Sequence, residues 1–108
     1  MSPCQPLVYS PLSHEQWIEE GCLIRELWNQ AQDPALSIAR ARVESGLTTR
    51  WHRLIDTVER YLILEGTGIV EVEGLGAQRV NPGDLVYIPA GAAQRIRNDG
   101  TGDLGRAI

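Results

Sequence analysis

A chain of 108 residues has room for one hydrophobic core and no second, because folding at that length buries roughly two-thirds of the unfolded surface. Hydrophobic residues make up 43% and charged residues 22%, the formal net charge is −4, and all ten cations are arginine, with no basic block of the kind nucleic-acid backbones need, so no nucleic-acid partner is expected. No apolar run approaches the roughly 20 residues that cross a bilayer. The opening MSPCQPLVYSPL lacks both the basic and the apolar region of a secretion signal. A cytoplasmic protein without a membrane partner is therefore expected. Cys4 and Cys22 fit no metal-binding spacing and read as two reduced thiols.

Pro3, Pro6 and Pro11 resist helix and favour an extended arm. Ser13 then stands as an N-cap with Gln16 three positions on, flanked by Leu12 and Trp17 in staple positions, and Gly21 is placed to stop a helix. This pattern predicts a short helix over 14–20, with His14 on its solvated first turn. CLIRELWN from Cys22 suits a strand, and QAQDP after it is a turn. The run LSIARARVE alternates, with Ile38, Arg40, Arg42 and Glu44 on one face and Ser37, Ala39, Ala41 and Val43 on the other. That is the period of a strand covered on one side. If the arginine face lines a cavity, Arg40 and Arg42 are anion ligands; if not, they are solvated.

The next stretch, GLTTRWHRLIDTVERYLILEG, reads as two successive strands carrying His52, Glu59 and Tyr61. Gly66-Thr67-Gly68 and Gly74-Leu75-Gly76 punctuate the following runs as hairpins. Pro82-Gly83 is a favourable type II turn pair. LVYIP, a turn at Pro89-Ala90-Gly91 and AQRIRN follow, and the closing DLGRAI reads as a final strand that stops early. That ending leaves two expectations: the chain continues beyond Ile108, or another subunit closes the sheet. Short strands with regular turn signals indicate an all-β sandwich or barrel. The expected organisation is one domain, with the arm, helix and first strand in 1–34 and the barrel in 35–108.

Two spacings resemble the signature of the cupin family. Gly46, five residues, His52, one residue, Leu54, four residues, Glu59, six residues and Gly66 reproduce its first motif, G-x5-H-x-H-x3–4-E-x6-G, with Leu54 at the second histidine. Gly83, Pro89, Gly91 and Asn98 fall in register with the second motif, G-x5-P-x-G-x2-H-x3-N, with Gln94 at its histidine. The resemblance implies a double-stranded jelly-roll barrel whose interior binds a small molecule. It also implies a divalent transition metal (Fe, Mn, Ni or Zn), here at His52, Glu59 and Gln94, serving an oxygenase-, isomerase- or lyase-type reaction. Many members are dimers that exchange N-terminal strands, so a homodimer is expected and the proline-rich arm acquires a use.

Alternation places Glu59, Tyr61 and Ile63 on one face and Gln94, Ile96 and Asn98 on another, and puts Arg50, His52 and Leu54 together while their strand stays regular. Three readings of this set stay open. His52, Glu59 and Gln94 hold a metal with open positions. Alternatively, the barrel has lost its metal and is a non-catalytic binding module, in which His52 and Glu59 hydrogen-bond one another, since a buried carboxylate needs a partner. Or His52, oriented by Glu59 and facing Tyr61, performs metal-free acid–base catalysis. Trp51 has the opposite parity to His52 and suits a dimer contact, with Trp17 and Trp28 as candidates for the same surface.

Overall fold

A computed structural model describes residues 5–108. Nine strands carry its regular structure: β1 (Gln16–Ile18), β2 (Cys22–Trp28), β3 (Ile38–Val43), β4 (Glu59–Glu65), β5 (Gly68–Val72), β6 (Gly76–Val80), β7 (Leu85–Ile88), β8 (Gln94–Arg97) and β9 (Leu104–Ala107). A six-stranded sheet runs β1-β2-β3-β9-β4-β7 and a three-stranded sheet runs β6-β5-β8. Every named pairing is antiparallel.

The two-residue period sorts the side chains of each strand. On β3, Ala41 and Val43 are buried, while Arg40 pairs with Glu65 at 2.6 Å and Arg42 with Glu15 at 2.8 Å and Asp103 at 3.2 Å. The arginine face is therefore the outer one, and Arg40 and Arg42 are surface ion pairs rather than cavity ligands. Tyr61, Ile63, Val86, Ile88 and Leu104 from the larger sheet meet Val70, Val72, Val80 and Ile96 from the smaller one in a single core.

Three sequence expectations are corrected. Among the described residues there is no helix: 14–20 contains β1, which pairs with β2 in a hairpin joining Ile18 to Cys22. Gly21, at φ 94° with its N–H donating to the Ile18 carbonyl, closes that turn. A positive φ ends a helix or a bulged hairpin equally well. A seven-residue helix is marginal by itself, whereas β2 offers a full row of backbone partners. Gly66-Thr67-Gly68 is no hairpin either, because β4 and β5 belong to different sheets. The Gly74–Gly76 turn does close the β5–β6 hairpin. Finally, DLGRAI is not left for another subunit to pair. Its residues Leu104–Ala107 form β9 in the middle of the larger sheet, paired with β3 on one side and β4 on the other.

Cys4 and the first residues of the arm lie outside the described residues, while Cys22 is a buried free thiol. The described part of the arm is largely exposed and touches β2 at a few points. Arg25 donates to the carbonyls of Ser13 and Pro11, both at 3.1 Å, and Tyr9 meets Trp28 edge-on at 5.4 Å.

Candidate functional site

The first of the two strands expected in 46–66, the one carrying His52, does not form: residues 47–52 are irregular and reach β8 only through isolated bridges at Thr48 and His52. The His52 N–H donates to the Gln94 carbonyl at 3.1 Å, and the Gln94 N–H returns to the His52 carbonyl at 2.9 Å. Two residues that exchange both backbone bonds stand directly opposite, so their side chains leave on the same side. That side is the interior, where Glu59, the first residue of β4, arrives from the facing sheet.

The three side chains predicted to converge do so. Gln94 is fully buried, His52 and Glu59 half-buried. The His52 Nδ1 lies 3.0 Å from the Arg50 carbonyl, which can only accept, so that nitrogen carries the proton and Nε2 is the acceptor. The Gln94 amide nitrogen sits 2.5 Å from His52 Nε2 and donates to Glu59 Oε1 at 3.2 Å. One NH2 thus serves two acceptors. Its own oxygen, Oε1, is buried with no partner among the described residues.

Tyr61 lies two residues further along β4 on the same face, fully buried, and its hydroxyl has no partner among the described residues. Burial pushes that hydroxyl well above the ordinary phenol range, against the pull of the nearby Arg106 charge. Tyr61 therefore stays neutral and is a hydrogen-bond donor, not a base.

Leu54 and Arg50 do not join the interior. Leu54 is 41% exposed, and Arg50 is exposed, because the chain after His52 is a loop without alternating faces. Asn98, in register with the second motif, has a structural task. Its Nδ2 donates to the carbonyls of Val43 at 2.8 Å and Gly102 at 2.7 Å, and its Oδ1 accepts the Gly100 N–H at 3.0 Å. Trp51 is half-exposed and carries the Arg95 guanidinium 4.5 Å above its ring. Trp17 is exposed, and Trp28 donates to Asp33 at 2.9 Å.

Sequence reasoning missed Arg106. It is 2% exposed, its Cζ lies 4.5 Å over the Tyr61 ring, and it forms no ion pair among the described residues. The available signal was the leucine–arginine alternation of LGRAI, an interior-strand pattern with a cation at an inward position.

As they lie, these residues do not fit a transition metal. A metal needs lone pairs, and Gln94 turns an N–H bearing nitrogen rather than its oxygen toward His52 and Glu59, where it takes the one lone pair of His52 Nε2 and leaves Glu59 as the single free ligand. Among the described residues, no group of three His, Cys, Asp or Glu side chains could hold a metal ion.

The sequence profile of the cupin domain family matches residues 39–105. An uncharacterized protein of Methanocaldococcus jannaschii is 34% identical over 84 residues, or 76% of this chain and 66% of that protein. The chain thus spans just under two-thirds of that relative. Among solved structures, a predicted oxalate decarboxylase from Thermotoga maritima superposes with a TM-score of 0.80 at 22% identity, covering 94% of this chain and 95% of the other. The cupin domain of Schizosaccharomyces pombe Cnp3 superposes with a TM-score of 0.78 at 18% identity, covering 94% and 70%. Likeness at those identities establishes the jelly-roll fold and no chemistry.

Proposed function

The chain belongs to the cupin domain family, and from that premise we propose that it is a metal-free small-molecule-binding barrel, taking a small polar or anionic ligand against the His52–Gln94–Glu59 group and Tyr61. Members of the family often hold a transition metal. Here the Gln94 amide stands between imidazole and carboxylate, where a metal would otherwise draw their lone pairs. The observation that carries the reading is that one NH2 donating to both His52 Nε2 and Glu59 Oε1. The arrangement is a closed hydrogen-bond relay from the Arg50 carbonyl through the imidazole and amide to the carboxylate. It leaves Gln94 Oε1 and the Tyr61 hydroxyl buried without hydrogen-bond partners among the described residues.

Binding comes before catalysis in this reading. A ligand donor satisfies Gln94 Oε1, and a ligand acceptor takes the Tyr61 proton. Should the bound compound carry an acidic proton, His52 is the group to receive it and Glu59 the one to steady the charge. Two further parts of the proposal are a homodimer and a cytoplasmic location. Among the described residues, no helix is long and apolar enough to cross a membrane.

Metal content is the direct test. Protein purified without chelator is expected to hold far less than one equivalent of any transition metal, and added Zn2+ or Mn2+ leaves its melting temperature unchanged. One equivalent that disappears in His52→Ala would overturn the metal-free reading. For the ligand itself, a library of polar fragments is expected to shift the Gln94 side-chain NH2 and His52 ring NMR signals. A library that moves neither contradicts the binding site.

A further inference from the structure

The inner face of the larger sheet carries a second set of unsatisfied groups. Reading straight across its strands, Gln16, Ile24, Ala41, Arg106 and Ile63 stand in one row. Arg106 is buried, and its Nε and Nη1 make no well-aligned hydrogen bond among the described residues, although the guanidinium lies close enough to the Tyr61 hydroxyl and the Cys22 thiol to favour their ionised forms against the stronger effect of burial. These nitrogens lie on different edges of the guanidinium, so both edges have donors to offer. Burying a cation without a counter-charge is among the costliest arrangements a core can adopt.

The groups around the guanidinium bring no negative charge of their own. The ring of Tyr61 lies beneath it, and burial keeps both the Tyr61 hydroxyl and the Cys22 thiol protonated. Glu59, at the start of β4, already accepts from Gln94. Next to the row, a cleft of about 520 Å3 opens on the inner face of the β1–β2 hairpin, lined by Ser13, His14, Gln16, Ile18, Ile24 and Glu26. Ile18 and Ile24 pack against the core that contains Arg106's neighbours. Only Ala41, a single methyl group, stands between Ile24 and Arg106 along the row.

We infer that the ligand of this barrel is a small monocarboxylate whose carboxylate is held by Arg106 and the Tyr61 hydroxyl. This rests on the reading of the barrel as a small-molecule site and names its ligand class. A carboxylate accepts from a guanidinium N–H and carries the charge it lacks, and a phenol supplies a further proton. Charge selects a monoanion over a dianion such as phosphate. The one guanidinium lacks one counter-charge, so a single negative charge neutralises it and a second would be left buried and unpaired. The apolar row of Ile24, Ala41 and Ile63 suits a short aliphatic body.

The test pairs acetate, propionate and butyrate with acetamide, propionamide and butyramide at matched ionic strength. NMR follows the Arg106 Nε–H and the Gln94 NH2 in the intact protein. At least one acid is expected to shift the Arg106 signal, with its amide binding tenfold or more weakly, and Arg106→Met is expected to abolish the response. Should Arg106→Met not fold, Arg106→Lys keeps the charge without the guanidinium and is expected to bind the acid at least tenfold more weakly. Acids and amides binding alike, or acid binding that survives both substitutions, would overturn the carboxylate assignment. If polar fragments shift Gln94 while no acid shifts Arg106, the assignment fails and the binding site stands. If nothing shifts either residue, both fail.

Discussion

At the scale of single residues, the interior of this barrel is organised by side-chain amides rather than by charge. Asn98 makes three hydrogen bonds to the backbone at 2.7–3.0 Å while 1% exposed, tying β8 to the end of β3 and to the turn before β9. Asn98→Ala leaves the buried Val43 carbonyl, the Gly102 carbonyl and the Gly100 N–H without this partner, and is expected to cost about 2–4 kcal/mol in a urea titration. A loss below about 1 kcal/mol would refute that role. Tyr61 and Cys22 predict a second behaviour, in alkali. Burial raises both groups above their ordinary values of 10.0 and 9.0, so the folded chain keeps protons that the unfolded chain releases. Their contribution to stability is complete below pH 9 and declines as pH rises beyond it. The melting temperature is expected to fall from about pH 9 upward, with Cys22→Ala delaying the onset toward pH 10. A flat profile to pH 11 would contradict it. The pair His52 and Gln94 was legible from motif spacing alone. Arg106 was not, because an arginine near a chain end reads as solvated until its strand has neighbours on both sides.

At the scale of elements, β3, β4, β5, β7 and β8 were legible because alternating burial writes itself into each run. The helix expected over 14–20 failed because capping signals are local, while β1 exists only through its pairing with β2. Gly66 and Gly74 show how alike two glycines look in sequence and how differently structure loads them. Both have positive φ, 77° and 89°. A Cβ on Gly66 would run into the Asp103 carbonyl, whereas one on Gly74 meets nothing within 4 Å. Gly74→Ala therefore pays only the left-handed backbone strain, about 1–2 kcal/mol. Gly66→Ala adds a backbone collision at the crossing into β5, and is expected to cost more than about 4 kcal/mol or to prevent folding. Equal melting temperatures for the two variants would be incompatible with this account.

At the scale of the whole molecule, the outer face of β4 and the edge strand β7 leave Leu62, Leu64, Leu85 and Tyr87 41–64% exposed. Leu62 lies directly opposite Leu85. Edge strands with exposed apolar side chains need covering, which supports the proposed homodimer more strongly than the half-exposed Trp51 does. Light scattering is expected to give about twice the mass of 11.9 kDa, and Leu85→Arg is expected to return it to the monomer. A monomeric wild type would refute the dimer. By itself, the sequence determined that this chain is all-β, which residues share a face within each strand, and that His52, Glu59 and Gln94 hold the motif positions. Only the tertiary structure decided which of two faces is the inside, that the last strand inserts between β3 and β4, and that Arg106 is thereby sealed beside Tyr61. The reason is one of range. A two-residue period is a property of neighbours along the chain, whereas the partner and the buried side of a strand depend on contacts with residues dozens of positions away.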